Sequence, residues 1–140
     1  MYSFETSIRV RYGETDKMGY AYYGNYPLYY EVARTEMLRS LGITYKQMED
    51  KGIILPVSSL TIKYVSPAFY DDLLRIKVSI RKMPLVRIEF DYEVFNGSGH
   101  LINKGQTTLV FVDALTRKPH KAPDYFLEKI KKYFPEESGK

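Results

Sequence analysis

Carboxylates and tyrosines are the residues of this chain that could support catalysis. Among 140 residues there is no Cys, and only 2 are His. That composition removes thiol nucleophiles, thiolate metal sites and disulfides together. His100 sits beside a turn-like "NGSG" and His120 lies in "KPHKAP", and neither belongs to an HExxH or GxSxG pattern. No tight carboxylate cluster accompanies them, so no metal site is expected. "GSG" at 97–99 is too short for a dinucleotide loop, and no cofactor is expected either. A base or nucleophile must then be Asp or Glu.

Most of the acids have a plain structural use. Glu89, Asp91 and Glu93 alternate with apolar residues, as on the wet face of a strand. Asp71 and Asp72, in "SPAFYDDLL", suit a turn. Glu31 and Arg34 have the spacing of a helical ion pair. Asp16 differs. In "RYGETDKMGYAYYGNYPLYYEVARTEMLR" it stands in a loop of glycines and tyrosines shortly before a helical pattern. A helix N-terminus presents unpaired N–H groups and partial positive charge. Such donors can hold a carbonyl oxygen as it gains negative charge. A carboxylate beside them could attack that carbonyl or activate a water. The same spacing also fits an Asx-type turn that merely shapes the loop, and spacing alone leaves both open.

The surrounding elements follow from periodicity. Residues 5–11, "ETSIRVR", alternate as a short strand. From Tyr26 to Leu41 the period becomes helical, with Tyr26, Tyr29, Tyr30, Ala33, Met37 and Leu41 on one face. Asn25 is the expected N-cap, Pro27 fits the first turn, and Gly42 is a natural stop. A short helix is expected from Thr44 to Lys51. Period-two runs then predict half-buried strands around 59–64, 74–80 and 86–94, and a more buried one over 104–112. The short link "KMPL" implies antiparallel pairing. A C-terminal helix is expected from Tyr125 to Tyr133. The result is a single α+β domain over residues 1–140, with the sheet on one side of the long helix.

Composition narrows the partners. An apolar share of 44% supports a packed core. A formal net charge of +4 is modest and would suit a phosphate-bearing small molecule. The aromatic–basic interleaving of an RNA-binding strand is absent, so nucleic acid is not expected. No run approaches the roughly 20 apolar residues needed to span a bilayer. No basic-then-apolar leader opens the sequence, so a cytoplasmic protein is expected.

The segment "RYGETDKMGYAYYGNYPLYYEVARTEMLRSLG" resembles the signature of the 4-hydroxybenzoyl-CoA thioesterase family, in its broad acyl-CoA thioesterase branch. That pattern runs R-Y-x-E-T-D-x-x-G-x-x-Y-x-x-x-Y, followed by E-x-x-R-x-E. Arg11, Tyr12, Glu14, Thr15, Asp16, Gly19, Tyr22, Tyr26, Glu31, Arg34 and Glu36 stand at its positions. The resemblance implies a hotdog fold, in which a bent antiparallel sheet wraps a long central helix. It further implies a homo-oligomer, dimer or tetramer, with active sites at the subunit interface. It makes Asp16 the catalytic acid, and the Tyr23 backbone N–H the donor that polarises the carbonyl of an acyl-CoA thioester. Many relatives carry His where this chain has Tyr23, so only the backbone donor carries over. Tyr20, Tyr22, Tyr26 and Tyr30 are candidates for the acyl pocket, equally suited to core packing. Lys63, Arg81, Lys82, Arg117 and Lys118 are candidates for the CoA phosphates. An acyl-ACP thioesterase and a non-catalytic acyl-thioester binding module are the alternatives on the same fold.

Overall fold

In β1 (Tyr2–Arg9) every second side chain is partly covered, as alternation on a half-buried strand requires. The strand starts earlier than the apolar pattern indicates, because Phe4 and Thr6 also turn toward the core side. A 3-10 turn at Tyr12–Glu14 and a second at Tyr23–Asn25 follow, and the second runs directly into α1 (Tyr26–Ser40). These coordinates are a computed structural model and describe residues 1–135; residues 136–140 of the expected domain lie outside the described residues.

Helix α1 buries Tyr26, Tyr29, Tyr30, Ala33 and Met37, the face that the period predicts. Pro27 occupies its first turn, where a missing N–H breaks no helical bond. Asn25 holds the position before α1 but does not cap it. Its backbone is already helical (φ −81°, ψ −19°), because the chain arrives through the 3-10 turn. Its side-chain amide instead donates to the Glu14 carbonyl at 2.8 Å. Gly42 ends the helical run with φ +80°. Helix α2 (Tyr45–Asp50) falls within the helix expected from Thr44 to Lys51; Thr44 itself is the N-cap, its hydroxyl accepting from the Gln47 amide at 3.1 Å.

The remaining elements are β2 (Ile53–Ile54), β3 (Val57–Tyr64), β4 (Leu73–Ile80), β5 (Arg87–Phe95), β6 (Leu101–Val110), β7 (Val112–Asp113) and α3 (Asp124–Ile130). The main sheet has the order β1-β4-β5-β6-β3 and is antiparallel throughout. The two-residue pair β2–β7 is too short to leave a periodic signal. Helix α1 packs against β1 and β4. Its tyrosines reach further: Tyr30 stacks flat on Tyr92 of β5, with ring centroids 4.0 Å apart.

Gly105 of β6 makes that stacking feasible. A Cβ there would lie 2.6 Å from both the Tyr30 hydroxyl and the Thr61 carbonyl. Tyr30 and the Thr61 carbonyl occupy the space that any other residue would need.

Strand β3 departs from its pattern. The alternation predicts a half-buried strand, yet every residue but Ile62 is exposed. It is an edge strand that α1 meets at its end, where Tyr26 packs on Tyr64, and Val57 and Leu60 remain uncovered. The outer face of the sheet carries a charged row in register: Lys63, Lys104, Glu93, Lys77 and Glu5 stand opposite one another in turn.

Candidate active site

The loop before α1 closes on Asp16. The Asp16 amide donates to the Tyr20 carbonyl and the Gly19 amide to the Asp16 carbonyl, each at 2.9 Å. Gly19 takes φ +81°, a left-handed conformation that suits glycine. The carboxylate accepts from the amides of Met18 (2.9 Å) and Tyr20 (3.3 Å), both on Oδ1. This is the Asx turn that the spacing allows. It engages one carboxylate oxygen and leaves Oδ2 without a hydrogen bond among the described residues.

Asp16, Tyr20, Tyr23, Tyr26 and Tyr64 line one cleft of about 300 Å³, closed at one side by residues 65–67. Tyr64 is fixed there by its hydroxyl, which donates to the Tyr23 carbonyl at 3.0 Å. Its ring meets the edge of Tyr26 at a centroid distance of 5.8 Å. Burial, then Tyr64 and Asp72, push the Tyr26 phenol up to about 12. Burial and Tyr23 raise the Tyr64 phenol as well. Both walls are therefore neutral at ordinary pH. Among the described residues, Asp16 is the one carboxylate lining this cleft. Tyr23 opens the 3-10 turn that leads into α1, a position whose N–H has no acceptor within the helix. The carboxylate and the positive end of a helix thus border the same small, largely aromatic space.

The other candidate residues lie elsewhere. Tyr22 is turned outward, its ring tilted against Tyr23 at 4.7 Å. Tyr30 is fully buried and donates to Asn103 Oδ1 at 2.6 Å, so its place is the core. Lys63 and Arg81 line a separate concavity of about 530 Å³ across the outer face of the sheet. Arg81 pairs there with Asp91 at 3.1 Å, and Lys82 pairs with Glu89 at 3.3 Å. Arg117 and Lys118 are exposed in the turn after β7. The remaining acids behave as their spacing suggests. Asp72 accepts from the Phe69 amide in the turn before β4, and Glu31 lies 3.9 Å from Arg34.

Tyr64 and residues 65–67 enter the cleft without any local signal in the sequence. They arrive because the chain folds back on the loop. Tyr20 bridges to Phe69, and the Ala21 amide donates to the Ala68 carbonyl at 2.8 Å. The break of alternation at "YVSP" is the one hint that the chain leaves the sheet there.

The pattern of the thioesterase-like superfamily matches residues 10–130. The chain belongs to this superfamily. It is 32% identical over 128 residues to the acyl-CoA thioester hydrolase YbgC of Escherichia coli O6:H1, covering 91% of this chain and 96% of that protein. It is 37% identical to the DHNA-CoA thioesterase of Staphylococcus aureus, whose structure superposes with a TM-score of 0.89 over 99% of this chain and 93% of that one. A 4-hydroxybenzoyl CoA thioesterase in complex with 4-hydroxybenzoyl CoA shares the fold at a TM-score of 0.82, over 91% of this chain and 97% of that one, with 21% identity. The architecture is thus the hotdog fold that the signature segment implies, an α+β domain with its antiparallel sheet around α1. Among the described residues, no helix of this thioesterase-family chain is long and apolar enough to cross a membrane.

Proposed function

We propose that this hotdog-fold thioester hydrolase cleaves acyl-CoA with water, releasing a free carboxylic acid and CoA, and that Asp16 is its nucleophile or general base. One observation carries the reading: Asp16 and the first turn before α1 border a single aromatic cleft. The thioester carbonyl sits at the helix start, where the Tyr23 N–H takes up negative charge as the carbonyl carbon becomes tetrahedral. Asp16 either attacks that carbon or takes the proton of a water that does. In either route a C–O bond forms, the C–S bond breaks and the sulfur leaves as a thiolate. Where Asp16 is the nucleophile, the product of that step is a mixed anhydride, which water then hydrolyses to the free acid, regenerating the carboxylate. A thiol with a pKa near that of cysteine, about 8.5, leaves without strong acid assistance, which suits a site whose neighbours are neutral phenols. Tyr20, Tyr26 and Tyr64 wall the acyl group.

The exposed edge strand β3, with Val57, Leu60 and the adjoining Val65 uncovered, supports a homo-oligomer in which a second copy covers that edge. Within one protomer Lys63 and Arg81 line a concavity separate from the cleft, and Lys82 lies off it as well. An active, stable monomer in light scattering would overturn the homo-oligomer. Matched acyl-CoA and acyl-ACP substrates, compared by kcat/KM, separate the two carriers.

The central test is thiol release over a panel of acyl-CoAs by wild type and Asp16→Asn. The carboxamide is expected to lower kcat by about 10³-fold, the range for removing a positioned base. Wild-type turnover by Asp16→Asn on every active substrate would remove Asp16 from the mechanism.

A further inference from the structure

We infer that Glu14 is a positioning residue for the reaction: it ties the Asp16 loop to α1 and thereby sets where Asp16 stands relative to the Tyr23 amide. The inference rests on the roles proposed above for Asp16 and Tyr23.

Glu14 is gripped at both of its ends. Its backbone carbonyl accepts from the Tyr22 amide and from the Asn25 side-chain amide, each at 2.8 Å. Those two residues flank Tyr23 and Gly24, so one carbonyl holds both ends of the turn that carries the proposed oxyanion donor. Its side chain reaches the other way. Oε1 accepts from the Arg11 amide at 2.8 Å and from the Tyr29 hydroxyl at 2.9 Å. Oε2 accepts from the Arg11 guanidinium at 2.9 and 3.2 Å. Tyr29 is a buried residue of α1, whereas Asp16 follows Glu14 by one intervening residue. A single acid therefore connects the start of the loop, the turn at Tyr23 and the body of the helix.

The surroundings suit a fixed clamp. The Glu14 side chain is 15% exposed while that of Arg11 is 81% exposed, so the pair is covered on the carboxylate side only. Burial works to raise the Glu14 pKa. The Arg11 amide and guanidinium and the Tyr29 hydroxyl outweigh it and hold the group below the usual carboxylate range. The acid thus remains charged at neutral pH. Asp16 accepts only from amides of its own loop. Among the described residues no hydrogen bond joins that carboxylate to α1, and the bond from the Tyr29 hydroxyl to Glu14 ties the loop to the body of the helix. Displacing a reacting group by about 1 Å costs on the order of 10²-fold in rate. A loop freed from α1 should lose catalysis before it loses substrate.

The test uses the full chain with Glu14→Ala, Glu14→Gln and Tyr29→Phe, read by steady-state thiol release and by circular dichroism at the assay temperature. Glu14→Ala is expected to lower kcat by about 10²-fold with little change in KM. Glu14→Gln keeps an acceptor for Tyr29 and the Arg11 amide and should recover most of that loss. Tyr29→Phe severs only the tie to α1 and should lower kcat by roughly tenfold at unchanged KM. A folded Tyr29→Phe with wild-type kcat, or variants whose KM rises as much as their kcat falls, would overturn the inference. If Glu14→Ala does not fold, Glu14→Gln and Tyr29→Phe decide it by the same criteria. An inactive Asp16→Asn beside fully active Tyr29→Phe would sink the clamp and leave the proposed hydrolase standing. A fully active Asp16→Asn would sink both.

Discussion

Tyr23 and Tyr30 belong to the same continuous helical segment, yet they have opposite circumstances. Tyr23 is 62% exposed and borders the cleft, whereas Tyr30 is completely buried against Tyr92. The hydroxyls separate in the same way. Tyr30 and Tyr92 each have a short internal partner, Asn103 and Thr107, both at 2.6 Å. Burial pushes the Tyr92 phenol up to about 12 and raises that of Tyr30 as well. Tyr23 contributes its carbonyl to Tyr64 and turns its ring toward solvent and the cleft. The tyrosines of this chain therefore form two populations. One is a satisfied aromatic core, and the other is a wall of rings that a substrate can touch. The division is made by the sheet, which covers α1 from its first full turn onward and leaves the 3-10 turn before it uncovered.

Substitutions can break that division or sharpen it. Tyr92→Ala removes a ring from the packed group and should cost about 3–5 kcal/mol in denaturant unfolding. Gly105→Ala should cost about 3 kcal/mol, the upper end for an overpacked site, because one of the close atoms, the Thr61 carbonyl oxygen, is backbone and cannot swing aside. Tyr30→Phe keeps the stacking but leaves Asn103, whose Nδ2 has no partner among the described residues, with no side-chain hydrogen bond to any of them. A loss of about 1–2 kcal/mol is expected, with little effect on turnover. Tyr23→Ala should change stability by less than about 0.5 kcal/mol, as for an exposed site. It keeps the backbone N–H, so it should raise KM more than it lowers kcat. If Tyr23→Ala destabilised the fold as much as Tyr92→Ala, the two populations would be one.

Local chemistry made part of this legible from sequence. The buried face of α1 follows from its period, and α2 falls within the helix expected from Thr44 to Lys51. Strands β4 and β5 bury Leu74, Ile76, Val78, Ile88 and Phe90 as their alternation requires. Asp16, Tyr20, Tyr23 and Tyr26 share the cleft because one short loop carries them into a helix. Features set at long range were not legible. Strand β3 alternates like its neighbours, and its exposure depends on how far α1 reaches across the sheet. Tyr30 and Tyr26 are one turn apart, but only the path of β6 decides which of them meets a cleft. The position of Lys63 on the outer face is fixed by register with Lys104 and Glu93, which no local pattern encodes. Tyr64 comes to the site from a strand end distant in sequence, through its bond to the Tyr23 carbonyl.

The Asx turn at Asp16 has a kinetic consequence. Two amides on Oδ1 hold the carboxylate in one torsional well before any substrate arrives. A side chain immobilised in the resting enzyme gives up little rotational entropy on the way to the transition state. The ordering cost falls on folding, once for each molecule of enzyme, and is not repeated at every turnover.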